Sequence, residues 1–549
     1  MRILIIGAVA AGTSAAAKAR RNNEEADIIV YEKDYDISYS GCGMPYYIGG
    51  DIQDRKTLTP RDPKYFKDRY NVDVLIRHEV LSIDPVKNVL HVKNLETNEL
   101  FLDRYDKLVI STGARAVIPP IKGVDKDHVF TFRTIQDMNK IITHIHEKKP
   151  KNVVVVGSGY VGLEACENFV KIGLNVTLVE RLPQVTSGLD DDMAVHVQKH
   201  LEEKNVKVLT GQSVEMIEDE YVLLSKGEKV PADMVLLAVG VTPNTELAKS
   251  AGVELGASGA IQVNSRMETN IKDIYACGDC IEQMHLVTQM PVYRPLGSTA
   301  NKTGRIAGDC ITGGSLEFRG ILGTGIVRVF DLTVAQTGLS EREAKALGYD
   351  IAVIHNIKHD KPEYMGGGEM IIKGVADKKT GRLFGVQIVG PSGVDKRIDV
   401  FVTAITYKAN VEDLFHLDLA YSPPYSTAKD PVMYTGMILD NVISKGRPVI
   451  TAKELDQLTH SGQKHTVIDT RVSEQYEKGH VEEAENIPHE KIREATEKLD
   501  KNDVVVTYCN KGTTGNAVQN ILFQKGFEKV FNLSGGYKQY SAEHCKKDK

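Results

Sequence analysis

The segment Val504-Val-Val-Thr-Tyr-Cys509-Asn-Lys-Gly-Thr-Thr514-Gly-Asn-Ala reads as a strand, a six-residue loop opening with cysteine, and a helix. Backbone N–H groups of such a loop converge on the sulfur, and the helix dipole adds positive potential. Both favour thiolate over thiol and can hold a persulfide anion. A second thiol, Cys42, stands in Ser38-Tyr-Ser-Gly-Cys42-Gly-Met-Pro45-Tyr-Tyr, with Ile37 and Tyr47 five positions to either side and no local partner cysteine. A redox thiol in that situation cycles only by forming a mixed disulfide or persulfide with a small molecule, or a sulfenic acid with peroxide. The remaining cysteines, Cys166, Cys277, Cys280, Cys310 and Cys545, are scattered, and the total of seven is odd, which argues against a disulfide framework. Cys277-Gly-Asp-Cys280 has redox-like spacing but closes a strand, whereas a redox pair opens a helix. No His/Cys group has zinc-ligand spacing, so no metal is expected.

Two further segments have the chemistry to bind dinucleotides. Arg2–Ile6 is a short apolar strand, followed by Gly7-Ala8-Val9-Ala10-Ala11-Gly12, a helical stretch to Arg21, and a second strand, Asp27–Tyr31, ending at Glu32. Asn152–Val156 repeats the pattern with Gly157-Ser-Gly159-Tyr160-Val161-Gly162, a helix to about Lys171, and a strand ending at Glu180. The glycines permit a tight turn and close backbone approach, the pyrophosphate sits on the helix N-terminus, and the carboxylate takes the ribose hydroxyls. The second copy has all three glycines; the first has Val9 in the middle place. Two fingerprints imply two bound dinucleotides, and a flavin enzyme reduced by a nicotinamide is the commonest arrangement that needs both. Glu180 repels a 2′-phosphate and favours NADH over NADPH, with Arg181 beside it as a partial offset.

The elements that must position these groups belong to a long chain. At 549 residues, three or four domains are expected. An apolar fraction of 42% and a charged fraction of 26% are those of a folded globular protein. The net charge of −6 gives no basic field for nucleic acid or anionic lipid. No apolar run approaches the roughly 18 residues of a spanning helix, and MRILIIGAVAAG lacks the form of a signal peptide. The expectation is therefore a cytoplasmic protein without nucleic-acid or membrane partners. Buried-strand runs ending in glycine follow at 105–113 (Gly113), 233–240 (Gly240) and 273–279 (Gly278-Asp279). After Ser444-Lys-Gly-Arg-Pro448, a short polar linker, strands and helices alternate to the end.

The order and spacing of these runs resemble the flavoprotein reductases with two dinucleotide-binding domains. That resemblance implies an α/β fold with two Rossmann-like domains: an FAD domain split as 1–112 and 244–320, and an NAD(P)H domain at 113–243. An α+β dimerisation domain at 321–445 follows. Residues 449–549 resemble a single-domain rhodanese through the Cys509 loop, Ile468-Asp-Thr-Arg471, Gly479-His480-Val-Glu-Glu-Ala-Glu-Asn-Ile-Pro488 and Leu533-Ser-Gly-Gly-Tyr. Rhodaneses usually carry an Arg where Thr514 stands.

The resemblance narrows at Gly7-Ala-Val-Ala, the Cys42 segment, Lys396-Arg-Ile-Asp399 and Tyr421-Ser-Pro-Pro-Tyr-Ser-Thr-Ala-Lys429-Asp. Together these are similar to the coenzyme A disulfide reductases. In that family the cysteine forms a mixed disulfide with coenzyme A, and two tyrosines of the second subunit of a homodimer approach the sulfur; Tyr364 and Tyr421 match those positions. Substrate contacts map to Ser14, Lys18, Arg21, Ser38, Gly41, Asn301 and Lys429, while Gly41 and Tyr70 stand where an Asn and a Lys are usual. Three phosphates on coenzyme A require a cationic lining, to which Lys18, Arg20 and Arg21 are expected to contribute. The implied activity is an NAD(P)H-driven, FAD-dependent reductase of coenzyme A persulfide, polysulfide or disulfide, with Cys509 relaying sulfane sulfur. Three alternatives remain: an NADH peroxidase or oxidase, which typically carries a His where Ala10 stands; a sulfurtransferase; and a flavin-based redox sensor.

Overall fold

The computed structural model describes residues 1–497 and 499–544; Cys545 lies outside them. By its internal contacts the chain forms two compact units, one of residues 1–183 and 205–323, the other of residues 184–204 and 324 onward.

The first unit is built on a duplicated frame. Arg2–Ile6 lies between Asp27–Tyr31 and Lys107–Ile110 in a five-stranded parallel sheet, with Asp73–Leu75 and Ile274–Ala276 at its edges. Asn152–Val156 lies likewise between Asn175–Glu180 and Met234–Leu237, with Lys207–Thr210 and Val129–Thr131 outside. Both first strands are apolar from their second residue on and buried, as strands covered on two faces must be. In each copy an antiparallel three-stranded meander precedes the fourth strand: His78–Asp84, Val89–Asn94 and Leu100–Arg104 in one, Val214–Ile217, Tyr221–Leu224 and Lys229–Pro231 in the other. The copies differ in where the fifth strand comes from. Val129–Thr131 precedes its frame in sequence, whereas Ile274–Ala276 returns to the first sheet only after the whole second frame has been made. Ala114–Ala116 and Val241–Pro243, the outward and returning chain, pair antiparallel at that crossing.

The second unit contains an antiparallel sheet ordered Gly325–Val329, Leu332–Gly338, Leu383–Gly390, Glu369–Asp377 and Ile351–His359. It also contains a parallel sheet ordered Val449–Ile450, Val530–Leu533, Val504–Tyr508, His465–Asp469 and Glu485–Asn486. The helix Asp191–Glu203 belongs to this unit, although the strands on either side of it in sequence complete the second parallel sheet.

An ionic node fastens that helix to the antiparallel sheet. Lys373, fully buried in Glu369–Asp377, meets Asp192 at 2.6 Å, Glu341 at 2.6 Å and Asp190 at 3.2 Å. His355 Nε2 lies 2.9 Å from Asp192, and its Nδ1 lies 3.0 Å from Ser534 Oγ, at the end of Val530–Leu533 in the parallel sheet. The Gln539 amide donates to the Asp192 carbonyl at 2.8 Å. Burial opposes the Asp192 charge, but His355 and Lys373 outweigh it and hold the carboxyl well below the usual carboxylate range. Burial likewise opposes the Lys373 charge, and the three carboxylates more than compensate.

A depressed carboxyl contributes stability that is complete above its unfolded pKa, about 4, and is lost as pH falls. A raised ammonium contributes stability that is complete below its unfolded pKa, about 10, and is lost as pH rises. Lys373→Met leaves the carboxylates buried without their cation and is expected to cost about 3–5 kcal/mol in denaturant unfolding. The deficit should be widest between about pH 4 and pH 10 and narrow on acidification; a pH-independent deficit would show that lost packing, not charge, is the cause.

Candidate active site

The two glycine loops repeat one geometry. Gly7 and Gly157 both take φ +101°, and each donates its N–H to a carbonyl near the end of the neighbouring strand, Tyr31 O and Val179 O, at 2.8 Å. A Cβ on Gly12 would stand 1.9 Å from Gly7 O, and one on Gly162 2.0 Å from Gly157 O, so the helix can start this close to the strand only through glycine. The strand-end carboxylates close each loop: Glu32 accepts from the Ala8 N–H at 2.8 Å, Glu180 from the Ser158 N–H at 2.9 Å and its hydroxyl at 2.7 Å. Burial pushes Glu32 up, with the Asp34 and Ala8 N–H groups working against it.

The helices Ala11–Asn22 and Tyr160–Lys171 begin without a side-chain cap, so the first-turn N–H groups point into the loop mouths. No atom lies within 4 Å of where a Gly159 Cβ would be, and Tyr160 and Val161 are exposed beside it. An uncapped N-terminus fits a pyrophosphate at each loop, and at the second the space in front of Gly159 is open. Val9 and Ala10 are partly exposed at the first mouth, where Ala10 is the helix N-cap. Gly113 and Gly240 adopt φ +66° and +111° at the domain crossing, with open space around them. Gly278 is pressed against Ala11, where a Cβ would meet the alanine methyl at 2.7 Å. Asp279 accepts from Arg133 at 2.6 Å.

Cys42 lies in the short turn Gly41–Gly43, directly before the helix Met44–Ile48 with Pro45 in its first turn. Ser38, four residues earlier, takes φ +48°, held by its N–H to Ala8 O at 2.9 Å, which ties the cysteine segment to the first loop. All described cysteines are free, and Cys42 is the exposed one; Cys166, Cys277, Cys280, Cys310 and Cys509 are buried. Partial desolvation, then the Glu164 carboxylate, push the Cys42 thiol up, with Arg133 pulling the other way. Cys280 donates to Cys277 O at 3.2 Å, and burial pushes it to about 11, the behaviour of an inert packed thiol.

Ser14, Lys18 and Arg21 follow one face of their helix. Ala11 and Ala15 let the helix Gly297–Cys310 approach through Gly304 and Gly308, which brings Asn301 to Ser14 at 2.8 Å. Lys18 pairs with Asp309 at 2.9 Å. Burial raises Asp309, but Asn22, the Leu316 N–H and Lys18 outweigh it and hold it at about 2. Arg21 is exposed. Arg20 departs from expectation: it is buried and donates to the Tyr70 and Asn71 carbonyls at 2.8 Å and to Glu24 O, so it locks the helix end and is withdrawn from any cationic lining.

In the second unit Tyr364 and Tyr421 are 77% and 53% exposed. The stretch carrying Tyr421 and Lys429 is anchored by Arg397, which is buried and donates to Asp430 at 2.9 Å, to Ser426 Oγ at 3.2 Å and to Asp360 O at 2.7 Å. That anchor was missed from sequence, although both its ends lie inside the motifs quoted there. Cys509, 7% exposed, follows Val504–Tyr508, and the Thr514 N–H donates to its sulfur at 3.2 Å. Arg471 shapes the loop: it binds both Asp469 oxygens, the Gly479 carbonyl at 2.7 Å and Asn510 Oδ1 at 3.2 Å. The Tyr537 N–H donates to Cys509 O at 2.8 Å.

A duplicated dinucleotide frame with a free thiol tied to its first loop is the architecture of a nucleotide-dependent thiol oxidoreductase. The chain belongs to the pyridine nucleotide-disulphide oxidoreductase family, which residues 1–291 match; residues 325–431 match the family's dimerisation domain and 451–543 a rhodanese-like domain.

Among curated relatives, the Pyrococcus furiosus NAD(P)H sulfur oxidoreductase (CoA-dependent) is 36% identical over 80% of this chain and 99% of its own. A Methanocaldococcus jannaschii NADH oxidase is 37% identical over 79% and 97%. A Staphylococcus haemolyticus coenzyme A disulfide reductase is 33% identical over 79% and 98%. Two solved structures span the C-terminal domain as well. The reduced Bacillus anthracis protein designated CoADR-RHD has a TM-score of 0.96 at 36% identity, covering 99% of this chain and 98% of that one. An NAD-dependent persulfide reductase from A. fulgidus has a TM-score of 0.92 at 36% identity, covering 98% and 100%. Among the described residues no helix is long and apolar enough to cross a membrane.

Glu164→Gln removes the negative neighbour of Cys42 and should shift the pH profile of its alkylation to lower pH, making it several-fold faster near neutrality. Peptide-resolved mass spectrometry of the alkylated protein reads this; an unmoved profile would remove Glu164 from the control of the thiol.

Proposed function

We propose that this protein is an FAD-dependent, NAD(P)H-driven reductase of coenzyme A persulfide or polysulfide and of coenzyme A disulfide, in which Cys42 is the lone redox cysteine and Cys509 relays sulfane sulfur. The observation that carries the reading is that Cys42 is the exposed thiol among the described cysteines, all of them free, and lies beside a glycine loop suited to a dinucleotide. The names of the P. furiosus, S. haemolyticus and A. fulgidus relatives support the substrate class.

NADH at the second loop would supply two electrons, which FAD at the first loop would carry to the thiol. Residues 7–12, Glu32, Gly278 and Asp279 would hold the flavin nucleotide, and residues 157–162 with Glu180 the nicotinamide nucleotide. Glu180 favours NADH, because its carboxylate repels a 2′-phosphate.

Cys42 thiolate attacks the inner sulfur of coenzyme A persulfide. A Cys42–coenzyme A disulfide forms, the sulfur–sulfur bond of the persulfide breaks, and hydrosulfide leaves with its electron pair. With coenzyme A disulfide the same attack releases one coenzyme A thiolate. Two electrons and a proton then return Cys42 to thiolate and free coenzyme A as its thiol. Ser14, Lys18, Arg21, Ser38, Gly41, Asn301 and Lys429 would bind the coenzyme, the cations meeting its phosphates. Tyr364 and Tyr421, exposed in this chain, would reach the sulfur of the second subunit of a homodimer and orient or protonate the leaving group.

A second reading, reduction of oxygen or peroxide at Cys42, is favoured by the name of the M. jannaschii relative. Ala10 opposes it, since no imidazole stands in the first loop to assist a sulfenate.

Cys42→Ser should abolish both sulfide release from coenzyme A persulfide and turnover of coenzyme A disulfide while FAD stays bound. Residual turnover of either substrate, or rapid turnover of hydrogen peroxide by the unmodified protein, would remove the reading. Cys509→Ser should spare coenzyme A disulfide turnover and slow the reduction of polysulfide; equal rates on both would end the relay.

A further inference from the structure

The Cys509 loop, Cys509-Asn-Lys511-Gly-Thr-Thr514, contains one cation of its own. Lys511 is engaged by Glu369, which it shares with Lys538. A sulfur that carries negative charge at this loop therefore has little free positive charge from the loop's side chains. The compensating groups come from elsewhere in the second unit.

Lys358, on the strand Ile351–His359, reaches the start of the helix that follows the loop. Its ammonium lies 3.3 Å from Thr513 Oγ1 and 4.1 Å from the centre of the Tyr434 ring. Lys429 lies over the same ring at 5.9 Å. Among the described residues no carboxylate pairs with either lysine. Two cations have thus been brought to one tyrosine ring without a counter-ion among the described residues, and one of them touches the helix start that follows the Cys509 loop. Burial first, then Lys511 and Lys429, pull the Lys358 ammonium below its ordinary range, and the Cys509 sulfur is the group in its field that works in the opposite sense. A half-buried cation with like-charged neighbours is stabilised by an incoming anion.

We propose that Lys358, whose ammonium stands at the Tyr434 ring near Lys429, forms the anion site of the Cys509 loop, stabilising the negative sulfur of Cys509 and receiving an anionic sulfane-sulfur donor. The site rests on the relay reading above and deepens it: the charge for the sulfur-transfer domain is supplied by the antiparallel-sheet domain. In the step served, Cys509 thiolate attacks the outer, sulfane sulfur of the donor. The donor's sulfur–sulfur bond breaks, a new one forms at Cys509, and the leaving thiolate or sulfite departs with the electron pair, with no net oxidation or reduction. Lys358 is a positioning residue here, acting through charge.

The test uses the full-length protein with Lys358→Gln, Lys358→Met and Lys358→Arg. The probes are thiosulfate, which carries its charge beside the sulfur, and coenzyme A persulfide, whose additional charges are phosphates. Sulfur loaded on Cys509 is read by peptide-resolved mass spectrometry, and thiosulfate-to-cyanide transfer gives KM and kcat. Gln and Met should raise the KM for thiosulfate about tenfold and shift the alkylation profile of Cys509 to higher pH, with Arg restoring both. A matching defect with coenzyme A persulfide places its phosphates at the lysines too, and a defect with thiosulfate alone confines the site to charge at the sulfur. A thermal unfolding midpoint equal to that of the unmodified protein reports that the variants fold. If the unmodified protein never loads sulfur on Cys509, relay and site fall together. If it does, and the variants load with the same KM and pH profile, only the site falls.

Discussion

In the proposed reaction Cys42 accepts and releases electrons, and a sulfur atom in that role needs somewhere to store its oxidised state, yet no second cysteine stands beside it among the described residues. On that reading the oxidised form would be a bond to an atom that arrives from outside the chain. The surrounding residues fit that demand. Cys42 sits in an open turn rather than a packed core, while the other described thiols are buried. Partial desolvation, and then the nearby carboxylate of Glu164, push the Cys42 thiol up and so disfavour its thiolate.

Positioning in the first unit rests on repetition. The same glycine-to-carbonyl contact, strand-end carboxylate and uncapped helix occur twice, because each solves the same problem of bringing backbone N–H groups up to a phosphate. The second unit is held by buried charge instead. The Lys373 ammonium gathers three carboxylates from two separate helical segments, and His355 carries that network to Ser534 beside the parallel sheet. Arg397 does the same on a smaller scale for the stretch that carries Tyr421 and Lys429. Buried ion pairs are geometrically exacting, so they fix the elements that carry exposed side chains such as Tyr421.

Much of the framework was legible in the sequence. Arg2–Ile6, Asp27–Tyr31, Asn152–Val156 and Val504–Tyr508 form strands over the residues that their apolar runs mark out, and helices begin at the glycine loops. The family followed from the order of these runs. Less legible was the placing of Gln184–Lys204 with the second unit, since its amphipathic pattern names a helix but not the surface that helix covers. Arg20 was misread for the same reason: a basic residue at a helix end resembles a solvated charge until the carbonyls that surround it are known.

The sequence by itself determined the local chemistry: strands, glycine turns and the two cysteine segments, each written in a run of contiguous residues. It did so because backbone geometry and hydrophobic period are properties of neighbours along the chain. Only the tertiary structure decided which distant charges meet. Lys373 with Asp192, Arg397 with Asp430, and Lys358 with the Cys509 loop join residues far apart in sequence, within strands and helices whose pattern is set by other residues. A lone charge in an apolar run states that a partner must exist, since burying it unpaired is too costly, but the partner's identity depends on how the sheets and helices stack.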